Sequence, residues 1–238
     1  PAVVCVTVAA AVVTVAARLV LPEMVLSEDQ LAHVGPRSRH HRNGALITVS
    51  LLAMVAVTGH FVSYTFIVVI IRNVVGVHGP NLAWLLAAYG FAGLLAMPLV
   101  ARPLDRRPRG AIICCMAGLT AAFVVLTALA FGGRLNGVTA LIGTAAIVLG
   151  GAMATAVSPM MQAAAMRNGS DDPDGASGLY VTAFQVGIMA GSLAGGLLYE
   201  HSVALMLTAS AGLMGVALIG VAANRKMLDV TPTSSRDS

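Results

Sequence analysis

The amino-acid sequence predicts an all-α membrane protein with seven transmembrane helices, and three observations carry that expectation. Hydrophobic residues make up 58% of the 238 residues and charged residues only 10%, with a mean hydropathy of +0.87. So little polar surface cannot cover a water-soluble globule. The apolar residues fall into runs of roughly twenty, the length that crosses about 30 Å of hydrocarbon as a helix. The cationic residues, finally, collect in alternate connectors between those runs, as they do when basic loops stay on the cytoplasmic side.

Residues 1–21 form an apolar run broken only by Thr7, Thr14 and Arg18. The run has no basic leading region and no processing site, so it reads as a spanning helix rather than a signal peptide. Residues 22–44 hold Glu23, Glu28, Asp29, Arg37, Arg39, His40, His41 and Arg42, a connector too charged to enter lipid. A second span over 45–71 has the most polar interior, with Thr58, His60, Ser63, Tyr64 and Thr65. The loop over 72–81 is punctuated by Gly76, Gly79 and Pro80.

The third span starts at Leu82 and runs without formal charge into a basic knot of Arg102, Asp105, Arg106, Arg107 and Arg109. A fourth span covers 111–131, followed by a tight turn through Gly132, Gly133, Arg134 and Asn136. The fifth covers 137–161, with Pro159 near its end, and Pro98 and Pro159 are expected to bend their helices. After a turn-rich connector over 167–175 come a glycine-studded sixth span over 177–198 and a seventh over 203–223. Residues 224–238 read as a polar, disordered tail. Residues 45–223 therefore make one six-helix bundle, preceded by a single helix and its connector.

Of the 14 Lys and Arg residues, only Arg72 and Arg134 fall in connectors on the opposite side from all the others. That bias puts the connectors after the first, third, fifth and seventh spans, and the carboxyl terminus, in the cytoplasm of a cell whose plasma membrane holds the chain. All ten carboxylates lie in connectors, at helix ends or in the tail. An acid at mid-membrane is the usual proton or cation relay, and these spans contain none.

The net charge of +4 and a pI near 9.4 reflect topology rather than nucleic-acid binding, because aromatic residues are only 5% and the bases are not interleaved with them. Cys5, Cys114 and Cys115 sit in apolar runs without metal-ligand spacing and read as small packing residues. Neither a paired-acid site nor a metal cluster nor a Ser/Lys dyad is visible at depth, and His40-His41 stands alone in a connector. The expectation is a protein that is not an enzyme and uses neither metal nor cofactor.

Several motifs carry a family resemblance. Ser63-Tyr64-Thr65-Phe66, then Trp84, Tyr89-Gly90 and Gly93, then the run 101–109 (ARPLDRRPR), occur in the order found in the second half of the major facilitator superfamily. More narrowly, the chain resembles the drug:proton antiporter group that includes the arabinose-efflux-like permeases. Asp105, Arg106 and Arg109 retain the charges of that family's loop signature, G-x-x-x-D-R-x-G-R-R, while Ala101 stands at its first glycine. Residues 183–191 (AFQVGIMAG) with Gly195-Gly196 resemble the family's eleventh helix, and Leu21-Pro22-Glu23 is similar to the exit of its sixth.

The resemblance runs from helix six to helix twelve and implies an amino-terminal half as partner. It implies proton-coupled efflux of small hydrophobic compounds or sugars by alternating access, with lipid, protons and a small-molecule substrate as the other partners. The coupling group would lie in that other half. The alternative is a non-transporting membrane scaffold or assembly partner.

His60 and Tyr64, at i and i+4, share a helix face. The pair is a candidate to bond substrate or pass a proton, against a histidine that only bonds between helices. Tyr89 is a candidate stacking surface, whereas Trp84 reads as an interfacial anchor. The resemblance places Gln185, and with it Met189, on the cavity-lining side of the eleventh helix. Interhelical bonding is the other reading for Gln185, as for Gln162.

Arg102, Asp105, Arg106 and Arg109 form a candidate gating loop. In that reading Asp105 caps the following helix, and the arginines hold carboxylates or helix carboxyl ends of the neighbouring bundle; a loop that is basic only to set topology is the other reading. Gly187, Gly191 and Gly195 repeat every four residues and predict a close helix–helix approach.

Overall fold

The computed structural model describes residues 43–106 and 108–224, together with residues 11 and 15. The rest of the expected first span, residues 22–42 of its charged connector and residues 225–238 of the tail lie outside the described residues. The chain divides into two units, Pro1–Arg37 and Ser38–Ser238, and the second carries the long helices.

The described helices are α1 (Gly44–Tyr64), a short α2 (Ile67–Ile70) continuing into one π-helical turn (Ile71–Val75), α3 (Pro80–Arg106), α4 (Pro108–Gly132), α5 (Gly137–Asn168), α6 (Pro173–Tyr199) and α7 (Val203–Ala223). Six of them are long and apolar enough to cross a bilayer. Local chemistry starts four of these helices. Asn43, Asn136, Asp172 and Ser202 each accept a hydrogen bond from the backbone N–H three residues on, at 2.9–3.1 Å, which satisfies one of the orphan donors of a helix start. Pro173 follows Asp172 at the first helical position, where its missing N–H does no harm. Gly76 and Gly133 leave their helices at φ +80° and +59°, a backbone region that suits glycine.

The second span is not one continuous helix. It breaks at Thr65-Phe66, where Phe66 adopts φ −107° and ψ 20°. The Thr58 and Thr65 hydroxyls donate back to the carbonyls of Met54 and Phe61 at 2.8 and 3.0 Å. Such back-bonding bends helices, and Phe66 then stacks on Tyr199 with centroids 5.0 Å apart. The basic knot also differs from an open loop: α3 stays helical through Arg106, and α4 starts at Pro108. Arg102, Asp105 and Arg106 therefore belong to the last turns of α3.

Within the bundle α1 packs on α6, α7 and α5, while α4 packs on α5 and α7, and α3 on α5. The α1–α6 contact is the closest. A Cβ on Gly187 would lie 2.8 Å from the Met54 carbonyl oxygen, one on Gly191 would lie 2.5 Å from that of Thr58, and one on Gly195 would strike that of Val62. The three glycines thus bring two backbones together along one stripe, the packing that small residues permit between membrane helices. Two polar bridges tie the same helix to its neighbours: Ser63 Oγ meets Ser210 Oγ of α7 at 2.6 Å, fully buried, and Thr65 Oγ1, just past the end of α1, meets Ser192 Oγ of α6 at 3.0 Å. On the outside, Trp84, Phe91, Leu94 and Leu99 leave α3 with a broad apolar surface, each more than 60% exposed. A bundle in water would hide that surface, whereas lipid accepts it.

Candidate functional site

A cavity of about 230 Å³ opens inside the bundle. From α1 it takes Ala53, Ala56, Val57, His60, Phe61 and Tyr64, and from α3 Tyr89. Leu119 of α4 and Met214 of α7 close it on one side, and α5 contributes Ala154, Thr155, Val157, Ser158 and Met161. Tyr180 and Phe184 come from α6. None of these side chains is an Asp, Glu, Lys or Arg.

Aromatic rings dominate the walls. His60 stacks on Tyr64 with centroids 5.1 Å apart and planes 23° apart, and Tyr64 in turn lies 5.7 Å from Tyr89. Phe61 and Phe123 meet the His60 ring edge-on, at 5.4 and 6.0 Å. The Tyr180 hydroxyl donates to the Ser158 carbonyl at 2.8 Å, which fixes its ring beside Phe184. Thr155 donates to the Gly151 carbonyl at 2.8 Å. The Nδ1 atom of His60 is buried and has no hydrogen-bond partner.

Three of the expected cavity residues, His60, Tyr64 and Tyr89, come together here. Gln185 and Met189 do not. Both are exposed on the far side of α6, and the reason is helical phase. Each stands two residues from Gly187, about 200° around a helix from the stripe that faces α1. Tyr180 and Phe184 share the phase of the glycines and take the cavity positions instead. That phase is legible in the sequence, so the glycine spacing itself could have found them.

Gln162 and Arg109 also have definite partners. Gln162 donates to Ser177 Oγ across the α5–α6 pair at 3.0 Å, which is its interhelical reading. Arg109 donates from an Nη atom to the Ala222 carbonyl at 2.8 Å, with Nε buried. The helix end it holds is that of α7 in its own bundle, not that of a neighbouring one, because α4 packs along α7. A cation there also meets the negative end of the helix dipole.

The model of the Major Facilitator Superfamily matches residues 46–237. The chain belongs to the major facilitator superfamily. Among curated relatives, a chloramphenicol efflux pump of Mycobacterium tuberculosis is 72% identical over 234 residues, covering 98% of this chain and 56% of the relative. A probable sugar efflux transporter of Mannheimia succiniciproducens is 25% identical over 162 residues, 67% of this chain and 38% of that protein. A transcription regulatory protein, OpdE of Pseudomonas aeruginosa, is 30% identical over 150 residues, 60% of this chain and 34% of its own. The chain spans a little over half the length of the mycobacterial relative. With six spanning helices and this membership, it is a multi-pass membrane protein.

Proposed function

We propose that this chain is the carboxy-terminal bundle of an efflux transporter that exports small, largely hydrophobic compounds, chloramphenicol among them. The observation that carries the reading is the aromatic cavity lined by α1, α3, α5 and α6 and closed on one side by α4 and α7. Its volume of about 230 Å³ falls just under the usual range for a drug-sized site, about 300–1,000 Å³, and a second bundle across the site would supply the remaining walls. The high identity to a chloramphenicol efflux pump supports efflux and that substrate. An internal cavity is also what a packing scaffold has no need of.

Transport runs by alternating access, with His60, Tyr64 and Tyr89 meeting the substrate. Protons supply the drive. Among the described spans the carboxylates sit only at helix ends and connectors, at Asp105, Asp171, Asp172, Asp174 and Glu200, so the proton-carrying acid belongs to the partner half. The basic connectors and the carboxyl terminus face the cytoplasm, in keeping with the cationic bias.

The test is accumulation of labelled chloramphenicol in a sensitive bacterial host expressing this chain together with the amino-terminal half of the transporter. Lower accumulation, restored by a protonophore, is the expected result, and accumulation equal to that of the empty host overturns the reading. Vesicles containing only residues 1–238 are expected to show no substrate-dependent proton flux, and robust flux there would refute the division of labour between two halves.

A further inference from the structure

We propose that the cavity selects uncharged aromatic compounds and that the imidazole of His60 is the hydrogen-bonding group that holds their polar substituent. This deepens the efflux reading and rests on it. The first observation is the charge of the walls. No lining residue of this bundle is an Asp, Glu, Lys or Arg, so an organic cation held against these walls would leave water and gain no carboxylate from them. The aromatic faces attract a cation, but that attraction is weaker than the hydration a cation gives up in an apolar enclosure. A neutral aromatic ring gives up far less and gains the same stacking surface from Tyr64, Tyr89 and Phe184.

The second observation is the state of the polar atoms. Tyr180 and Thr155 are already committed to backbone carbonyls. His60 is not: its Nδ1 is buried without a partner, in a structure type where buried polar atoms are almost always paired. Its ring borders both the main cavity and a smaller chamber of about 30 Å³ behind it. Neutral imidazole offers one donor and one acceptor nitrogen, so it can serve a hydroxyl, an amide or a nitro oxygen. The stack on Tyr64 and the edges of Phe61 and Phe123 hold the ring in one orientation, so little rotamer freedom remains to be lost when a ligand bonds to it.

Equilibrium binding to the purified full-length protein in detergent tests both parts, with labelled chloramphenicol as the probe and ethidium, a planar aromatic cation, as competitor. Unlabelled chloramphenicol is expected to displace the label and ethidium is not. Replacement His60→Phe, which keeps the ring and removes both nitrogens, is expected to weaken binding about tenfold. His60→Gln, which keeps a donor and an acceptor, stays within about threefold of the unsubstituted protein. Equal competition by ethidium, or chloramphenicol affinity unchanged in His60→Phe, would overturn the proposal. Should His60→Phe not fold, His60→Leu takes its place, and the ethidium arm decides the charge selection on the unsubstituted protein alone. An unsubstituted protein that binds no chloramphenicol overturns the efflux reading itself, an outcome distinct from loss of the His60 effect.

Discussion

Replacing Gly191 by alanine tests the closest helix contact in the bundle, and Gly196→Ala provides its internal control. Gly191 lies in the interior of α6 and Gly196 in its last turn, so alanine gains about 1 kcal/mol of helix propensity at 191 and no more than that at 196. Their surroundings differ. A Cβ at 191 would sit 2.5 Å from the Thr58 carbonyl oxygen, 2.9 Å from Phe61 Cβ and 3.1 Å from Thr58 Cα, whereas a Cβ at 196 would meet nothing within 4 Å. Thr58's carbonyl belongs to the α1 backbone and cannot swing aside, so α1 and α6 must separate by a good part of an ångström. Overpacking of this kind costs about 1–3 kcal/mol. Because the propensity gain at 191 is at least that at 196, a lower stability of Gly191→Ala reports the steric cost.

Gly196→Ala is therefore expected to melt at or slightly above the unsubstituted protein, and Gly191→Ala several degrees below Gly196→Ala, taking about 2–4 °C per kcal/mol for a domain of this size. The assay is thermal unfolding of the detergent-purified protein. Equal melting temperatures for the two variants would refute the backbone-contact reading of the glycine stripe.

Further outcomes follow from the same geometry. Arg109→Ala removes the bond to the Ala222 carbonyl and is expected to lower stability by about 1.5–3 kcal/mol, with faster limited proteolysis beyond Asn224; an unchanged cleavage rate would argue against the clasp. Ser63→Ala and Ser210→Ala each break the same buried bond, so each is expected to cost about 0.6 kcal/mol and the double substitution little more than either alone. Strict additivity of the two melting shifts would show that the hydroxyls do not act as a pair. Tyr180→Phe loses the bond to the Ser158 carbonyl while keeping its ring in the cavity wall, so melting should fall slightly and chloramphenicol efflux persist. Tyr64→Cys should react with a thiol reagent and be protected by chloramphenicol, and a reaction indifferent to the drug would remove Tyr64 from the site.

Much of this architecture is written directly in the chain. Runs of apolar residues near twenty, with Asn43, Asn136, Asp172 and Ser202 at their starts, dictate where helices begin, because a backbone in lipid must satisfy its own hydrogen bonds. Gly187, Gly191 and Gly195 announce a close approach by their spacing alone, and helical phase alone would put Phe184 and Tyr180 on that face, whereas the family resemblance pointed to Gln185 and Met189. Other features needed the fold. Only tertiary packing identifies α1 as the partner of the glycine stripe, pairs Ser63 with Ser210 across 147 residues, and carries Arg109 to the end of α7. The stack of Phe66 on Tyr199 beyond the break at Thr65-Phe66 likewise joins residues far apart in the chain. The difference is one of range: periodicity and caps act within a few residues along the chain, whereas the enclosure that leaves His60 Nδ1 without a partner exists only where six helices converge.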